Sequence, residues 1–330
     1  MKKIFKKILF GVIVLLLIFI GYFYIGSAPR AEKISWGVNF SQRHAEYLGL
    51  DWQKTYSALI GDLGVKRIKI ATQWDLLEPS AGEYYFRDLD WQIKKAEEAG
   101  VETFLVVGVK TGRWPECRIP DWAKNLTKKN QQEKILKLIE NIVLRYKDSG
   151  SVKYWQVENE PFFPFGDCPW RDKSFLKKEI NLVKSLDSDR PLIISDSGEF
   201  SLWFTAAKLG DIVSATLHRR VWFEEIKTYV LYPLRPVFYW RKAQIIEKLF
   251  SKEVIGGELQ AEPWCPQGIS GCSPQEQAKT MNLRLFQKNV EFASKTGLKA
   301  FYFWGGEWWY WMKEKQQSPE IWEEVKKLFQ

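Results

Sequence analysis

After residue 33, short runs of strand-forming apolar residues alternate with longer segments whose apolar residues recur at helical spacing. The runs predict strands at 34–40, 65–72, 101–107, 152–159, 191–195, 211–217, 253–259 and 299–304. Helices are predicted at 51–63, 89–99, 135–146, 176–183, 202–209, 241–250, 283–293 and 320–329. Eight strand-then-helix units predict an α/β fold, a closed (β/α)8 TIM barrel of about 250 residues plus insertions. The alternative, an open doubly wound sheet, is disfavoured because no glycine-rich phosphate loop follows the first strand.

The first residues have a different pattern, because a lysine-rich start is followed by an uncharged run over 8–25. This run is longer than the roughly 7–15 apolar residues of a signal peptide and has about the length that spans a bilayer. We therefore expect a cytoplasmic stub and transmembrane helix at 1–28 and the barrel domain at 29–330. Positively charged flanks stay in the cytoplasm, so the barrel domain is expected on the extracytoplasmic side. A signal sequence is the alternative, although Pro29 disfavours cleavage after Ala28.

Composition narrows the possible partners. The formal net charge is +9, but four of these charges belong to lysines before residue 8, and no other dense basic run is present. A nucleic-acid partner is therefore not expected. The 17 Trp residues suit stacking on sugar rings, although many tryptophans simply fill cores. An aromatic segment forms either a substrate wall or a face that rests on the membrane: Trp222, Phe223, Tyr229, Tyr232, Phe238 and Tyr239.

All four cysteines follow the apolar run and lie in segments of loop character. Cys265 and Cys272 flank a short loop rich in proline, glycine and serine, which predicts a local disulfide in an oxidising compartment. Cys117 and Cys168 then form the remaining pair. A zinc site is disfavoured because the sequence has no CxxC motif and its two histidines are far apart.

Two of the predicted strands end in glutamates. The strand at 152–159 runs into Glu158-Asn159-Glu160-Pro161, and Pro161 cannot continue a buried strand because it has no N–H. The strand at 253–259 carries Glu258 at its end. Active sites of such barrels are built at the carboxyl ends of the strands. Two carboxylates on separate strand ends that flank one bond are what glycoside hydrolysis by double displacement requires.

Other polar and aromatic residues at strand ends are expected to converge on the same mouth, and this convergence carries more weight than any single residue. The candidates for substrate binding are Lys69, Trp74, Trp114, Asn159, His218, Trp304 and Glu307, with Asn39 and Asp196 nearby. Asp196 and Glu199 are equally suited to capping the helix that follows them.

These residues give the chain a resemblance to the clan A glycoside hydrolases, which are retaining enzymes on an eight-stranded barrel. Asn159-Glu160-Pro161 is similar to the signature of that clan after strand four, and Gly257-Glu258-Leu259 lies where its nucleophile strand ends. Trp304 is similar to the tryptophan of strand eight that floors the sugar site. The resemblance covers about residues 34–315 and includes stretches similar to cellulase-like and β-galactosidase-like members, as in families 5, 39 and 42.

The resemblance implies that Glu160 is the acid/base, that Glu258 is the nucleophile and that Asn159 holds the sugar 2-hydroxyl. Lys69 stands where the clan usually has an arginine that binds the nucleophile; it keeps the charge but not the two-pronged geometry. Glu158 is the rival for the acid. Glu262 is the rival for the nucleophile.

We therefore predict a membrane-anchored, extracytoplasmic retaining glycosidase that acts on a β-linked oligo- or polysaccharide and needs no metal or organic cofactor. The alternative from another class is a carbohydrate-binding or cell-envelope barrel that has lost catalysis, which the lysine at position 69 keeps open. A third possibility is an inverting or non-glycosidic barrel hydrolase.

Overall fold

The structure is a computed structural model that describes residues 2–330, with side chains from residue 4 onward. Met1, the first residue of the predicted cytoplasmic stub, lies outside the described residues. The strands are β1 (Ser35–Phe40), β2 (Arg67–Ala71), β3 (Glu102–Val107), β4 (Val152–Val157), β5 (Leu192–Ser197), β6 (Ile212–Leu217), β7 (Arg220–Phe223), β8 (Thr228–Leu231), β9 (Glu253–Gln260) and β10 (Ala300–Trp304). All except β7 and β8 form one closed parallel barrel in chain order, in which β10 pairs with β1. The predicted (β/α)8 barrel is confirmed.

Helix α1 precedes the first strand, and the other helices lie in the segments that follow the barrel strands. They are α1 (Lys2–Tyr24), α2 (Gln42–Tyr47), α3 (Trp52–Gly61), α4 (Trp74–Leu77), α5 (Arg87–Glu98), α6 (Asp121–Lys124), α7 (Lys128–Tyr146), α8 (Lys173–Leu186), α9 (Phe204–Leu209), α10 (Pro236–Phe250), α11 (Gly268–Gly271), α12 (Pro274–Gln277), α13 (Leu283–Ser294), α14 (Gly306–Lys315) and α15 (Glu320–Phe329). Asp51, Thr127 and Asp172 begin α3, α7 and α8 by accepting hydrogen bonds from backbone N–H groups of the first turn. The buried faces of these helices form the main core against the outside of the barrel.

Glycines allow β9 to lie close to both of its neighbours. A Cβ atom on Gly256 would overlap the Phe301 ring of β10, and one on Gly257 would overlap the Ser214 hydroxyl of β6. Larger residues at these positions would push β9 out of the barrel wall. The two glycines therefore help to set the position of Glu258, which follows them directly.

The hairpin β7–β8 differs from the prediction, which left this segment as an aromatic loop. The Trp222 and Tyr229 rings pack edge to face across it, with centroids 5.1 Å apart. Gln260, at the end of β9, accepts hydrogen bonds from the backbone N–H groups of Arg219 and Arg220 at 2.7 and 2.8 Å. Because these bonds come from a distant strand, local sequence alone does not reveal them.

Within the described residues, α1 is the helix that is long and apolar enough to cross a membrane, over Ile4–Tyr24. Its last turn packs on α10, where the Phe23 and Phe238 rings have centroids 5.6 Å apart. Arg235 also donates a 2.7 Å hydrogen bond to the backbone oxygen of Tyr24. Phe238 therefore packs beside the apolar helix and not in a substrate wall.

Both predicted disulfides are present, joining Cys117 to Cys168 and Cys265 to Cys272. The first closes a loop with a sequence separation of 51 residues and ties the segment after β3 to the segment after β4. The second closes a separation of 7 residues after β9. Both disulfides therefore brace loops at the mouth of the barrel.

Loss of the longer disulfide is expected to cost more stability, because it constrains more of the unfolded chain. Loop-closure entropy gives about 4 kcal/mol for the Cys117–Cys168 loop and about 2 kcal/mol for the Cys265–Cys272 loop. Paired serine variants of each bridge, compared by denaturant unfolding, measure the difference. A larger loss for the Cys265–Cys272 pair would contradict this expectation.

Candidate active site

Glu160 leaves the end of β4 in a conformation that turns its side chain into the barrel mouth. Both Glu158 and Glu160 have positive φ, 57° and 44°, a region that non-glycine residues rarely occupy and that marks functional sites when it is stabilised by neighbours. Here the Ser195 hydroxyl accepts a 2.7 Å bond from the Glu160 N–H. The Thr216 hydroxyl of β6 donates a 2.8 Å bond to Oε1 of Glu160. The carboxyl of Glu160 is thus buried and directed toward β6.

Glu158 is buried in a different environment. Its carboxylate accepts hydrogen bonds from the backbone N–H groups of Val109 and Lys110. It also lies beside Glu179 of α8, whose pKa is raised well above its usual value by burial and by the negative Glu158. Glu158 therefore holds the backbone after β3. Its two oxygens face these backbone N–H groups and not Glu258.

Glu258 lies in β9 and is held by cations. The Lys69 Nζ atom of β2 is 2.9 Å from Oε1, and the His218 Nε2 atom is 3.6 Å from Oε2. Thr216, which binds Glu160, is the register partner of Glu258 in the neighbouring strand. Thr216 is therefore next to both glutamates, and Glu258 is near enough for its charge to act on Glu160.

Asn159 connects the two sides of this site. Its Oδ1 atom accepts a 3.2 Å bond from Lys69, and its Nδ2 atom is 3.4 Å from Oε2 of Glu116. Glu116 is a buried carboxyl whose pKa is raised by burial. The sequence prediction missed it, because Glu116 lies in the long loop after β3 and not at a strand end.

The two central glutamates have opposite protonation behaviour. Burial, reinforced by the negative Glu258, raises the pKa of Glu160 to about 8. Burial also disfavours ionisation of Glu258, but the charges of Lys69 and His218 outweigh it and lower the pKa of Glu258 to about 2. Near neutral pH one carboxyl holds a proton and the other is ionised, which is the arrangement that acid and nucleophile roles need.

His218 follows β6 and faces Glu258. Its backbone N–H donates a 2.9 Å bond to Glu199. Burial disfavours the charged ring, but the contact with Glu258 and the charge of Glu199 outweigh it, so that the pKa of His218 is raised. The ring also packs edge-on against Trp304, with centroids 5.3 Å apart. Glu199 is therefore used to position His218.

Asn39 and Asp196, two further residues at strand ends, form hydrogen bonds within the protein. Asn39 of β1 donates 3.1 Å hydrogen bonds to the backbone oxygens of Gly257 and Phe303, and so braces the chain beside Glu258. Asp196 accepts bonds from the Ser197 N–H and the Ser201 hydroxyl. Asp196 therefore holds the turn before α9.

Glu262, the rival nucleophile, is engaged in a separate ion cluster. It forms an ion pair with Arg113 and a hydrogen bond with His44, whose Nε2 atom is 3.2 Å away. Burial disfavours its ionisation, but the nearby Arg113 and His44 outweigh this and lower the pKa of Glu262. Its two oxygens therefore already have partners on the side of the mouth away from Glu160.

Two predicted substrate ligands have other roles. Glu307 is fully buried, accepting a 2.6 Å bond from the Ser41 N–H and a 2.8 Å bond from Arg113. Trp74 is also fully buried and donates its indole N–H to Glu78 at 2.8 Å. Neither side chain has a free face for a sugar, because packing and hydrogen bonds already saturate it.

The remaining predicted aromatic ligands lie at the mouth. Trp114 is 65% exposed at its rim and packs edge-on against Phe165, with centroids 5.9 Å apart. Trp304 lies at the end of β10 beside His218, as the resemblance implies. Its ring, however, is covered by Arg113, whose guanidinium carbon is 4.2 Å from the ring centroid.

One group of described residues resembles a metal site: His44, Glu262 and Glu307 bring possible ligand atoms within 4.8 Å of one another. Arg113 is bonded to both of these carboxylates. Its guanidinium therefore already supplies the positive charge that a metal ion would bring to the two acids.

Comparison with known proteins relates this site to characterised barrels. A family model described as glycosyl hydrolase family 10 matches residues 62–181, a segment that includes Lys69 and Glu160. Xylanase 10B from Thermotoga petrophila RKU-1, solved with xylobiose, is 16% identical with a TM-score of 0.57, over 89% of this chain and 94% of that chain. GH5_18 from Bifidobacterium longum subsp. longum ATCC 55813 is 13% identical with a TM-score of 0.58, over 83% of this chain and 70% of that chain.

A third similar structure is the β-galactosidase from the Antarctic haloarchaeon Halorubrum lacusprofundi, 14% identical with a TM-score of 0.54. The match covers 82% of this chain but only 52% of that chain, so this chain spans about half the length of that protein. The matched proteins therefore share the barrel but differ in length and in the activity that their names state.

Proposed function

We propose that this chain is a retaining glycosidase that cleaves a β-linked glycan. The proposal starts from the resemblance to clan A glycoside hydrolases, which the barrel and the family 10 match support. Similar structures include a β-galactosidase and a xylanase solved with xylobiose. The observation that carries the proposal is the pair Glu160 and Glu258, one protonated and one ionised, on either side of Thr216.

In the first step, Glu258 attacks the anomeric carbon and a glycosyl–oxygen bond forms as the bond to the leaving oxygen breaks. Glu160 donates its proton to that oxygen, so the leaving group departs neutral. Lys69, 2.9 Å from Oε1 of Glu258, keeps the nucleophile ionised before the attack. Asn159, oriented by Lys69, binds the sugar 2-hydroxyl, and this bond strengthens in the transition state.

In the second step, the ionised Glu160 takes a proton from a water molecule that attacks the same carbon. The bond to Glu258 breaks, and the nucleophile is released as a carboxylate. Two inversions at one carbon leave the product with the β configuration of the substrate.

The alternative of a barrel without catalysis rested on the lysine at position 69. The short Lys69–Glu258 contact, which is 2.9 Å long and buried, argues for the enzyme, because the lysine supplies the charge that the missing arginine would bring. Glu160 also has the raised pKa that an acid catalyst needs. A protein that only binds glycans has no need of such a group.

Trapping of the glycosyl intermediate tests the proposal. Wild-type protein is assayed on aryl β-xylosides, β-galactosides and β-glucosides, and the product anomer is followed by NMR. With a 2-deoxy-2-fluoro glycoside of the sugar that is hydrolysed, mass spectrometry is expected to find the label on Glu258. Product with inverted configuration would favour the inverting alternative, and no turnover on the whole panel with intact glycan binding would favour the non-catalytic barrel.

The pH profile of kcat/KM is expected to be a plateau with two limbs. Glu258 must be ionised, so activity falls as the pH drops toward its pKa of about 2. Glu160 must be protonated, so activity falls as the pH rises through about 8. A Glu160→Gln variant serves as the control, because glutamine does not titrate and the alkaline limb should disappear. An alkaline limb that survives this substitution would assign the acid role to another group.

We also propose that α1 anchors the protein in a membrane with the barrel on the extracytoplasmic side. The length and apolar character of α1 support the anchor, and two disulfides in the barrel suit an oxidising compartment. Protease treatment of intact cells tests the topology, since an extracytoplasmic barrel is digested without lysis.

A further inference from the structure

The catalytic pair divides the barrel mouth into two sides. The Glu160 carboxyl is bound by Thr216 of β6, so the leaving oxygen that it protonates lies toward β4, β5 and β6. Asn159 and Glu258 are joined by Lys69 of β2, so the sugar that is attacked lies toward β1, β2 and β10. The first side takes the leaving group, and the second side takes the non-reducing end of the glycan.

The non-reducing side is closed by an ion cluster that we call the Arg113 clamp: Arg113, Glu262, Glu307, His44 and Ser41. Arg113, from the loop after β3, forms ion pairs with Glu262 after β9 and with Glu307 of α14. The segment after β1 completes the clamp, because His44 binds Glu262 and the Ser41 N–H binds Glu307. Glu262 and Glu307 each have two partners. Together they join the segments that follow β1, β3, β9 and β10.

The Arg113 clamp is buried. It occupies the side of the mouth on which further sugars toward the non-reducing end would lie. Arg113 is 5% exposed and Glu307 is 0% exposed. The guanidinium lies on the Trp304 ring, and the Trp264 ring packs against Trp304 at a centroid distance of 5.6 Å. Arg113, Trp264 and His218 therefore all pack against the Trp304 ring, which limits the ring surface left for sugars on this side. Opening this side would leave buried charges unpaired, which is costly.

The leaving-group side has the opposite character, with a row of aromatic rings, Phe163, Phe200 and Tyr232. The Phe163 N–H binds the Glu160 carbonyl at 3.0 Å, so the row begins beside the acid. Phe163 stacks on both Phe165 and Phe200, with centroid distances of 6.3 and 5.4 Å, and Tyr232 packs edge-on against Phe200 at 5.5 Å. Phe200 is therefore the ring of the row that is open to a sugar. Phe200 is 57% exposed, and rings of this kind stack on the apolar faces of sugars.

We propose that the enzyme takes its glycan end-on, with the terminal non-reducing sugar in a pocket closed by the Arg113 clamp and the next sugars on the aromatic row. This inference rests on the proposed glycosidase function and specifies its substrate: a chain end, from which single sugars are released. A bilayer resting on the aromatic row is the competing occupant, and the test separates the two.

The wild-type, full-length protein tests the proposal in detergent. The substrate is a β-linked oligosaccharide of about five units, in the sugar that it hydrolyses as an aryl glycoside, labelled at the reducing end. Single-sugar release in steps, and no cleavage when the non-reducing end is blocked by a cyclic acetal, are the expected results. Cleavage within the chain, or equal cleavage of the blocked substrate, would overturn end-on binding while leaving the glycosidase intact.

If no glycoside is hydrolysed, the proposed function fails and end-on binding is judged by affinity alone. Tryptophan fluorescence titration then compares free and blocked oligosaccharides, and equal affinity would overturn the inference. Phe200→Ala tests the row: kcat/KM for the oligosaccharide is expected to fall roughly 3- to 10-fold. Leu249→Ala, an exposed apolar residue on α10, is the matched control. If Phe200→Ala, like Leu249→Ala, leaves oligosaccharide hydrolysis unchanged, the row does not bind sugars and the proposal is wrong.

Discussion

Replacing Glu258 with glutamine is expected to reduce kcat/KM by at least about 10⁴-fold, because the amide cannot form the glycosyl intermediate. The loss should be similar for good and poor leaving groups, since bond formation to the nucleophile is needed in both cases. It should also leave substrate affinity nearly intact, because the amide matches the carboxylate in shape. Steady-state assays on aryl glycosides, with affinity measured by fluorescence titration, provide both numbers.

Glu262→Gln is the comparison variant, because Glu262 is the other buried carboxylate that follows β9. Its loss weakens an ion pair with Arg113 and is expected to lower activity less, with the fluoro-sugar label still forming on Glu258. If Glu258→Gln remained labelled and Glu262→Gln did not, the nucleophile assignment would be wrong. Circular dichroism shows whether both variants keep the fold.

The second large effect is expected for Glu160→Gln, and it should depend on the leaving group. Loss of the acid costs about 10²- to 10⁴-fold for poor leaving groups, which need a proton to depart. For dinitrophenyl glycosides the first step needs little help, so the intermediate accumulates and its hydrolysis limits the rate. Azide, which needs no general base, should then restore turnover and yield the β-glycosyl azide.

Glu158→Gln is the control for this assignment, because Glu158 lies two residues away and its oxygens bind backbone N–H groups. It should show neither dependence on the leaving group nor rescue by azide. Azide rescue in Glu158→Gln alone would transfer the acid/base role to that residue.

The barrel was predictable because each of its strands is a short apolar run between segments of helical period, and these signals are local. The ends of β4 and β9 were equally legible, since Pro161 stops one strand and the adjacent glycines mark the other. The pairing of four cysteines followed from one short loop, which left a single second pair.

The clamp and Glu116 were not predictable in this way. Arg113 and Glu116 lie in a loop with no regular period, and their partners are separated from them by dozens of residues. The same limit applies to Trp74 and Glu307, which are both buried. A strand-end position predicts a residue at the mouth, but it does not tell whether the side chain turns into the mouth or into the packing around it.

The order of strands and helices, the apolar N-terminal helix and the two strand ends that carry Glu160 and Glu258 were set by the sequence alone, because neighbouring residues determine period, turns and stops. The tertiary structure decided the roles of Glu158, Glu160, Glu258 and Glu262. It determined which of them holds a proton, which is ionised and which pairs with Arg113. Burial and the position of cations control ionisation, and both arise only when distant loops come together.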